Sequence, residues 1–355
     1  MSLIPGQLSC IGVGVAGGTM SVVQVSRPRG GRGAIRVEAA ASIARSGPGP
    51  LTKSDAEVLA GVLERGGFEG TRVVLAPARG AVCVQPLELP PRGSGAPLSQ
   101  IARAEMARVL KMDPNAVEVA MWDVPPPSRA GNATHVMAAA LTKQAGDEAA
   151  ELLQSVGLEI AAIDVRSLAL ARAASPWLEP TGVSMLIDVS WDGVCIMVVL
   201  AGRVVFEREV DHLSPARLCG AAAERWRLEP ETIARALTHP EWPHAGDIVR
   251  LAGGAIADFV DALTPEIARS AAYAAHRYPN AKLERLLLAG AWAELNGLRE
   301  RVEAHLHVPA RVVRALDVAV VSPRVQSASV GAGSLLALGL AMHPGHGVSA
   351  QEVAA

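Results

Sequence analysis

Cys10 to Val25 reads C-I-G-V-G-V-A-G-G-T-M-S-V-V-Q-V, and Met185 to Leu200 reads M-L-I-D-V-S-W-D-G-V-C-I-M-V-V-L. Each is an apolar run, a short turn of mostly small or polar residues, and a second apolar run, the pattern of a strand folded back on itself. A third piece, Leu286 to Leu298 (L-L-L-A-G-A-W-A-E-L-N-G-L), reads as a buried strand, a tight turn and the start of a helix. A chain that carries such a hairpin in each half builds two sheets, and each sheet needs helices to cover it. The expectation is a two-lobe α/β fold.

Composition bears on what those lobes can do. The 355 residues are half hydrophobic and 19% charged, enough for two cores and unlike a disordered chain. A formal net charge of -2 supplies no field for nucleic acid. Cys10, Cys83, Cys195 and Cys219 form no C-x-x-C pair and read as reduced cysteines of a cytoplasmic protein. No basic-then-apolar leader opens the sequence. The apolar run Val330 to Met342 is about half a membrane span and is broken by glycines, so it reads as a buried helix. The nine histidines, including H-L-H from His305 and H-P-G-H from His343, join no metal-ligand spacing.

The first unit holds strands over Ile11–Val15, Ser21–Ser26 and Ala34–Ile43, then a helix Ala56–Arg65 capped by Ser54-Asp55 and a strand Thr71–Ala76. The basic run Arg27 to Gly33 is either a solvated turn or a grip for phosphate or anionic lipid. Residues 81–157 read as an inserted α+β module. It has strands Ala81–Leu89, Ala116–Val124 and Thr134–Leu141 and helices Ser99–Lys111 and Gly146–Ser155. A strand Leu158–Val165 and a helix Arg166–Ala174 return to the first lobe. The second hairpin continues through Val204–Val210, and helices Ser214–Trp226, Pro230–Leu237 and Pro265–His276 follow. A last strand Arg311–Val313 and a helix Ser329–Ala341 precede a frayed tail.

This order resembles the actin-like ATPase superfamily, specifically the PilM-like members of its FtsA branch, which are scaffolds of type IV pilus machines. V-V-L-A-P followed by V-Q-P-L-E-L-P-P resembles that family's entry into its insertion, and L-L-Q-S-V-G-L-E-I-A-A-I-D-V-R-S-L-A-L its return. E-I-A-R-S-A-A-Y resembles its adenine-side helix. The resemblance implies an actin-like (ribonuclease H-like) two-lobe fold. The first-lobe core would comprise 8–80, 158–182 and 329–342, and 81–157 would be inserted into it. The second-lobe core would comprise 183–213 and 285–328, with a helical subdomain at 214–284 and a tail at 343–355.

The same resemblance assigns a remnant nucleotide site to Gly12, Gly17, Gly18, Thr19, Asp188, Asp192, Gly193, Arg269 and Gly290. Aligned on Gly12, Gly14 stands where the family has an Asp, Ala16 where it has a Gly, and Ser21 where it has a Lys. Ser190 replaces the Gly of Asp-x-Gly, and Trp191 and Trp292 enter turns that normally hold small residues. Asp188 either orients a metal-bound water or caps its own turn. With the opposing carboxylate and the cation gone, a phosphoryl-transfer site lacks the charges it works by. The expectation is therefore a pseudo-ATPase scaffold with no catalytic residue, metal or cofactor, in which ATP and Mg2+ are at most weak ligands.

Its implied partners are a PilN-like inner-membrane protein, bound by its N-terminal tail between the first lobe and the inserted module, and other platform proteins. Self-association is left open, and nucleic acid is not among the partners. The implied place is the cytoplasmic side of the inner membrane, reached through the partner. Three alternatives stay open: an active actin-fold ATPase or small-metabolite kinase, an FtsA-like filament protein, and a type II secretion platform protein. The last two usually carry an amphipathic C-terminal helix or a membrane span, and neither pattern follows Met342.

Overall fold

The computed structural model describes residues 7–27, 33–45, 47–128, 131–238, 242–243 and 245–344. The basic turn at 28–32 and the tail beyond Pro344 lie outside the described residues. Two large sheets repeat one plan. In the first, β1 (Gln7–Leu8), β2 (Ile11–Val15), β3 (Thr19–Arg27) and β4 (Arg36–Ala44) pair antiparallel, with β1 and β4 both on β3. Helix α1 (Lys53–Arg65) then carries the chain to β5 (Arg72–Ala76), parallel to β2. The inserted module comprises β6 (Val82–Leu89), α2 (Leu98–Leu110), β7 (Val117–Asp123), β8 (Thr134–Thr142) and α3 (Lys143–Gln154). Strand β9 (Glu159–Ile163) returns parallel to β5, and α4 (Arg166–Ala174) follows.

In the second lobe β10 (Val183–Ser190), β11 (Gly193–Leu200) and β12 (Arg203–Val210) form the antiparallel part. Helices α5 (Pro215–Trp226), α6 (Pro230–Thr238) and α7 (Ala245–Arg277) lead to β13 (Leu283–Ala289), which lies parallel to β10. Helix α8 (Leu298–Leu306), β14 (Ala310–Val312), β15 (Val320–Val321) and α9 (Leu335–Ala341) complete the chain. The strand orders β4-β3-β2-β5-β9 and β12-β11-β10-β13-β14 are the same order twice, so the two hairpin turns occupy equivalent places. Beyond β4 the first sheet adds β15.

Every residue of β2 is buried because both of its faces are covered. Ile11, Val13 and Val15 pack with Leu59 and Leu63 of α1. The alternate positions are glycines because α9 comes down on them. A Cβ on Gly12 would stand 2.1 Å from the Ala337 carbonyl, and one on Gly14 2.9 Å from the Leu336 side chain. The short helices α4 and α9 lie between the lobes, and their Ala and Leu side chains share one core with Val23 and Val74 of the first sheet and Met197 and Leu287 of the second. They cross so closely that a Cβ on Gly339 would meet the Ala169 carbonyl at 1.9 Å.

The inserted strands form a separate sheet, order β6-β8-β7. Helix α2 covers one face through Ala102 and Met106. On the opposite face Trp122 and Met137 pack on the second lobe, where Trp122 Nε1 donates to the Val204 carbonyl at 2.8 Å. Helix α3, read from sequence as the closing helix of the module, buries Leu153 with Ile11 and Leu59 of the first lobe.

Several local expectations change. Helix α1 begins earlier than expected, with Thr52 as N-cap in a capping box with Asp55. The ion pair of Asp55 with Arg45, at 3.1 Å, explains why that aspartate sits one turn inside. Pro265 does not open a helix but lies inside α7. Buried Ala252, Ile256, Phe259, Val260 and Leu263 hold the upstream turns against the second-lobe core, outweighing the one backbone bond that proline removes. The last helix is shorter than expected, since Ser327–Val330 and Ala332–Ser334 are single 3-10 turns.

The α4–α9 crossing gives a direct test. Gly339→Ala is expected to lower stability by about 1–3 kcal/mol or more, because the added methyl meets backbone that cannot yield. Val58→Ala, at an exposed position, is expected to stay within about 0.5 kcal/mol. Urea unfolding midpoints measure both.

Candidate functional site

The turn between β2 and β3 is held from below. Ala16 N–H donates to the Thr19 carbonyl at 2.8 Å, and Arg45 Nη1 donates to the Ala16 carbonyl at 3.1 Å. The equivalent turn, Trp191-Asp192, faces it across the lobes. A Cβ on Gly17 would lie 2.9 Å from Asp192 Cβ and 3.1 Å from Trp191 Cδ1, and one on Gly18 3.6 Å from Trp191 Cδ1. The two turns are therefore in van der Waals contact through the face that two glycines leave bare. The third turn closes from the side. Gly290 adopts φ +91°, and a Cβ there would strike Asp188 Oδ1 and the Val189 carbonyl at 2.4 Å, so only glycine fits. Trp292 N–H donates to that same carbonyl at 3.0 Å. The buried Trp292 ring lies 5.5 Å from that of Trp191 at a 37° tilt.

At the centre is Asp188, only 2% exposed. Its Oδ1 accepts from the Ser190 hydroxyl at 2.9 Å. Its Oδ2 is 3.4 Å from both Arg79 Nη2 and Arg166 Nη1. Arg79 also pairs with Asp192 at 3.6 Å and with Glu209, and donates to the Gly193 carbonyl at 3.3 Å. Arg166 donates to the Val15 carbonyl at 2.5 Å, so one guanidinium joins the first hairpin to the second lobe's aspartate.

Asp188, Cys195 and Glu209 are cross-strand neighbours on one face of the second sheet, and Glu207 stands two residues before Glu209 on β12. Burial pushes the Glu207 carboxyl up from its ordinary 4.5, partly offset by Ser167, Arg166, Arg79 and Cys195. Burial, with Glu207 beside it, holds the Cys195 thiol well above its usual range.

These residues do not fit a magnesium nucleotide between the turns. Phosphates there would have to displace Trp191 and Asp192 from the Gly17–Gly18 face, and Asp188 already faces two guanidiniums. Gly14 and Ser21, where the resemblance places a carboxylate and a cation, are paired across β2 and β3. A Cβ on Gly14 would already meet Leu336. Among the described residues one group, Cys195, Glu207 and Glu209, brings possible metal donors within 4.8 Å of one another. Arg79 already takes Glu209, and burial raises the Cys195 thiol away from the thiolate a metal would need.

Of the residues singled out from sequence, Gly17, Gly18, Asp188, Asp192, Gly193 and Gly290 come together. Thr19 stands at the hairpin exit, its carbonyl closing the turn. Gly12 is a packing glycine beneath α9, and Arg269 is tied elsewhere. Arg269 is 66% exposed on α7 and pairs with buried Glu266, which also takes Arg208 at 2.7 Å and His212 at 3.5 Å. Arg79, Arg166, Glu207 and Glu209 were not anticipated. Arg166 carried a signal, since a cation in the first turn of a helix opposes the helix dipole unless a carboxylate answers it.

A second concavity, of about 450 Å3, opens between the inserted sheet and the first lobe. Its walls are Glu118–Ala120 of β7, the end of β8, the first turn of α3, and residues 163–165. Strand β7 is an edge of its sheet and β9 an edge of the first, and both supply residues to the walls. Two of its three acids are answered, while Asp147 is exposed on its wall. Glu118 pairs with Arg103 and Lys143, each at 3.4 Å, and Asp164 with Arg172 at 2.9 Å. Val82, Leu141, Ile163 and Val165 make the rest apolar.

Comparison with known proteins agrees with this architecture. The family of type IV pilus assembly protein PilM matches residues 20–344. Among solved structures, a PilM–PilN type IV pilus biogenesis complex is similar at 22% identity and TM-score 0.76, over 94% of this chain and 98% of that one. The ethanolamine utilization protein EutJ of Carboxydothermus hydrogenoformans is similar at 13% identity and TM-score 0.54, over 96% and 91%. A glycerol dehydratase reactivase is similar at 10% identity and TM-score 0.50, over 94% and 99%. Curated protein sequences give no match. The neighbours share the actin-like fold, as the strand order does.

Glu207 predicts a pH dependence. Its folded-state pKa is raised, so its contribution to stability is fully present below 4.5 and is lost as pH rises through the raised value. Unfolding midpoints of the wild type are expected to fall across that window, and those of Glu207→Gln to fall less.

Proposed function

This chain belongs to the type IV pilus assembly PilM family, and from that we propose that it is an actin-like scaffold of a pilus platform that turns over no ATP. It holds the extended N-terminal tail of a PilN-like membrane protein in the groove beside the inserted sheet. The observation that carries this reading is a contrast between two clefts. The one between the lobes is filled by the chain's own Trp191, Asp192, Arg79 and Arg166, while the groove stands open at about 450 Å3.

A working phosphoryl-transfer site depends on positioned cations and an aligned nucleophile. Here the arginines neutralise the protein's own carboxylates, and the turns touch. The groove has the converse properties. The free edge of β7 offers backbone N–H and C=O groups to an added strand, and apolar side chains on alternate residues of that strand can enter between Leu141 and Ile163. Glu118 and Asp164 are paired, so recognition rests on main-chain bonds and apolar burial, with Asp147 left to meet a cation of the tail. No helix among the described residues is long and apolar enough to cross a membrane. Attachment through a membrane-anchored partner suits that, and the protein then acts at the inner membrane's cytoplasmic face.

Calorimetric titration tests both halves. Mg-ATP is expected to give no heat up to millimolar concentration, and low-micromolar binding would return the chain to the ATPases. A synthetic peptide with the N-terminal sequence of the PilN-like protein from the same genome is expected to bind. Gly146→Phe should weaken it by roughly tenfold or more, because a Cβ at position 146 would lie 3.6 and 3.9 Å from the Leu141 and Ile163 side chains. Unchanged affinity would place the tail elsewhere.

A further inference from the structure

The two arginines on Asp188 stand at particular places in the chain. The inserted module leaves the first lobe between Ala76, the end of β5, and Val82, the start of β6, and Arg79 lies in that crossing. The chain returns through β9, which ends at Ile163, and α4 begins at Arg166. Each crossing therefore sends one guanidinium to the same second-lobe carboxylate. The groove is walled by those same crossings, through Val82 three residues beyond Arg79 and Asp164-Val165 immediately before Arg166.

We infer that groove and interlobe cluster are one coupled device, in which a peptide seated between Val82 and Val165 sets how Arg79 and Arg166 hold Asp188, and with that how firmly the lobes are joined. The inference rests on the reading of the groove as a peptide site. Two features make the coupling physical. First, the cluster has slack. Both arginines stand 3.4 Å from Asp188 Oδ2, against about 2.8 Å for a tight charge-assisted hydrogen bond. A small shift at either crossing can tighten or release them, and burial makes the two arrangements differ in energy. Second, the return crossing is stiff. Asp164 Oδ1 accepts from Val165 N–H at 2.8 Å, and its Oδ2 meets Arg172 at 2.9 Å. Arg172 also donates to the Gly339 carbonyl of α9 at 2.8 Å. A displacement of the groove wall is passed to the interlobe helices rather than absorbed by a loose loop.

Coupling is reciprocal, so changes in the cluster must alter peptide affinity although no cluster residue lines the groove. The test titrates the PilN-like tail peptide into the full chain, into Asp192→Asn and into Arg79→Lys, with circular dichroism to check folding. Amide exchange at Asp188–Gly193 is followed in the wild type with and without peptide. The expected result is a shift in Kd of roughly fivefold or more in the variants, together with a peptide-dependent change in exchange at that turn. Equal affinities with unchanged exchange in the wild type would overturn the coupling while leaving the peptide site intact. The exchange measurement decides the matter by itself should a variant fail to fold. Absence of binding to the wild type would overturn the peptide site, and the coupling with it.

Discussion

A carboxylate 2% exposed at the junction of two lobes is tolerable only if cations reach it, and Asp188 is reached by two. Much of the cleft's arrangement follows from that constraint. Arg79 must cross from the first lobe, so the loop after β5 has to lie against Gly193, where a Cβ would sit 3.4 Å from the Arg79 side chain. Arg166 must reach both Asp188 and the Val15 carbonyl, which fixes the start of α4 against the first hairpin. Removing both arginines would strand the buried Asp188 charge, so the two crossings together tie the lobes at this point. The net value of such a cluster to stability is small beside its effect on geometry.

The duplicated strand order explains why this cluster forms where it does. Two sheets of one topology, packed on shared helices, bring their hairpin turns face to face. Here Trp191 and Trp292 stack at 5.5 Å over the second and third turns, and glycines at 17 and 18 let the first turn close against them. The same residue type has three separate tasks in this region. Gly12 admits a helix, Gly17 admits a facing turn, and Gly290 supplies a left-handed backbone angle no side chain there would tolerate.

The inserted sheet divides its non-α2 face between two uses. Trp122 and Met137 bury one end against β12, which anchors the module to the second lobe. The other end, at Val82, Ala139 and Leu141, is left to wall the groove. A module fastened at one end and open at the other presents its edge strand at a fixed height above the first lobe. Main-chain recognition of an extended segment requires that geometry.

The sequence by itself determined the hairpins, the parallel strands, the return helix Arg166–Ala174 and the two-lobe plan. Those features are written in local periodicity, and periodicity is a property of neighbours along the chain. It also marked most of the turns that meet at the cleft, because glycine and tryptophan in a hairpin turn are unusual enough to be read singly. Pro265 misled for the same reason, since a local breaker cannot report the tertiary burial of Ile256, Phe259 and Leu263 that carries α7 through it. Only the tertiary structure decided the charges. Arg79, Arg166 and Arg269 look alike as isolated arginines, yet two of them converge on Asp188 and the third turns to Glu266. An ion pair is chosen by distance across the fold, and residues 79, 166 and 188 become neighbours only once two sheets and the helices between them have packed.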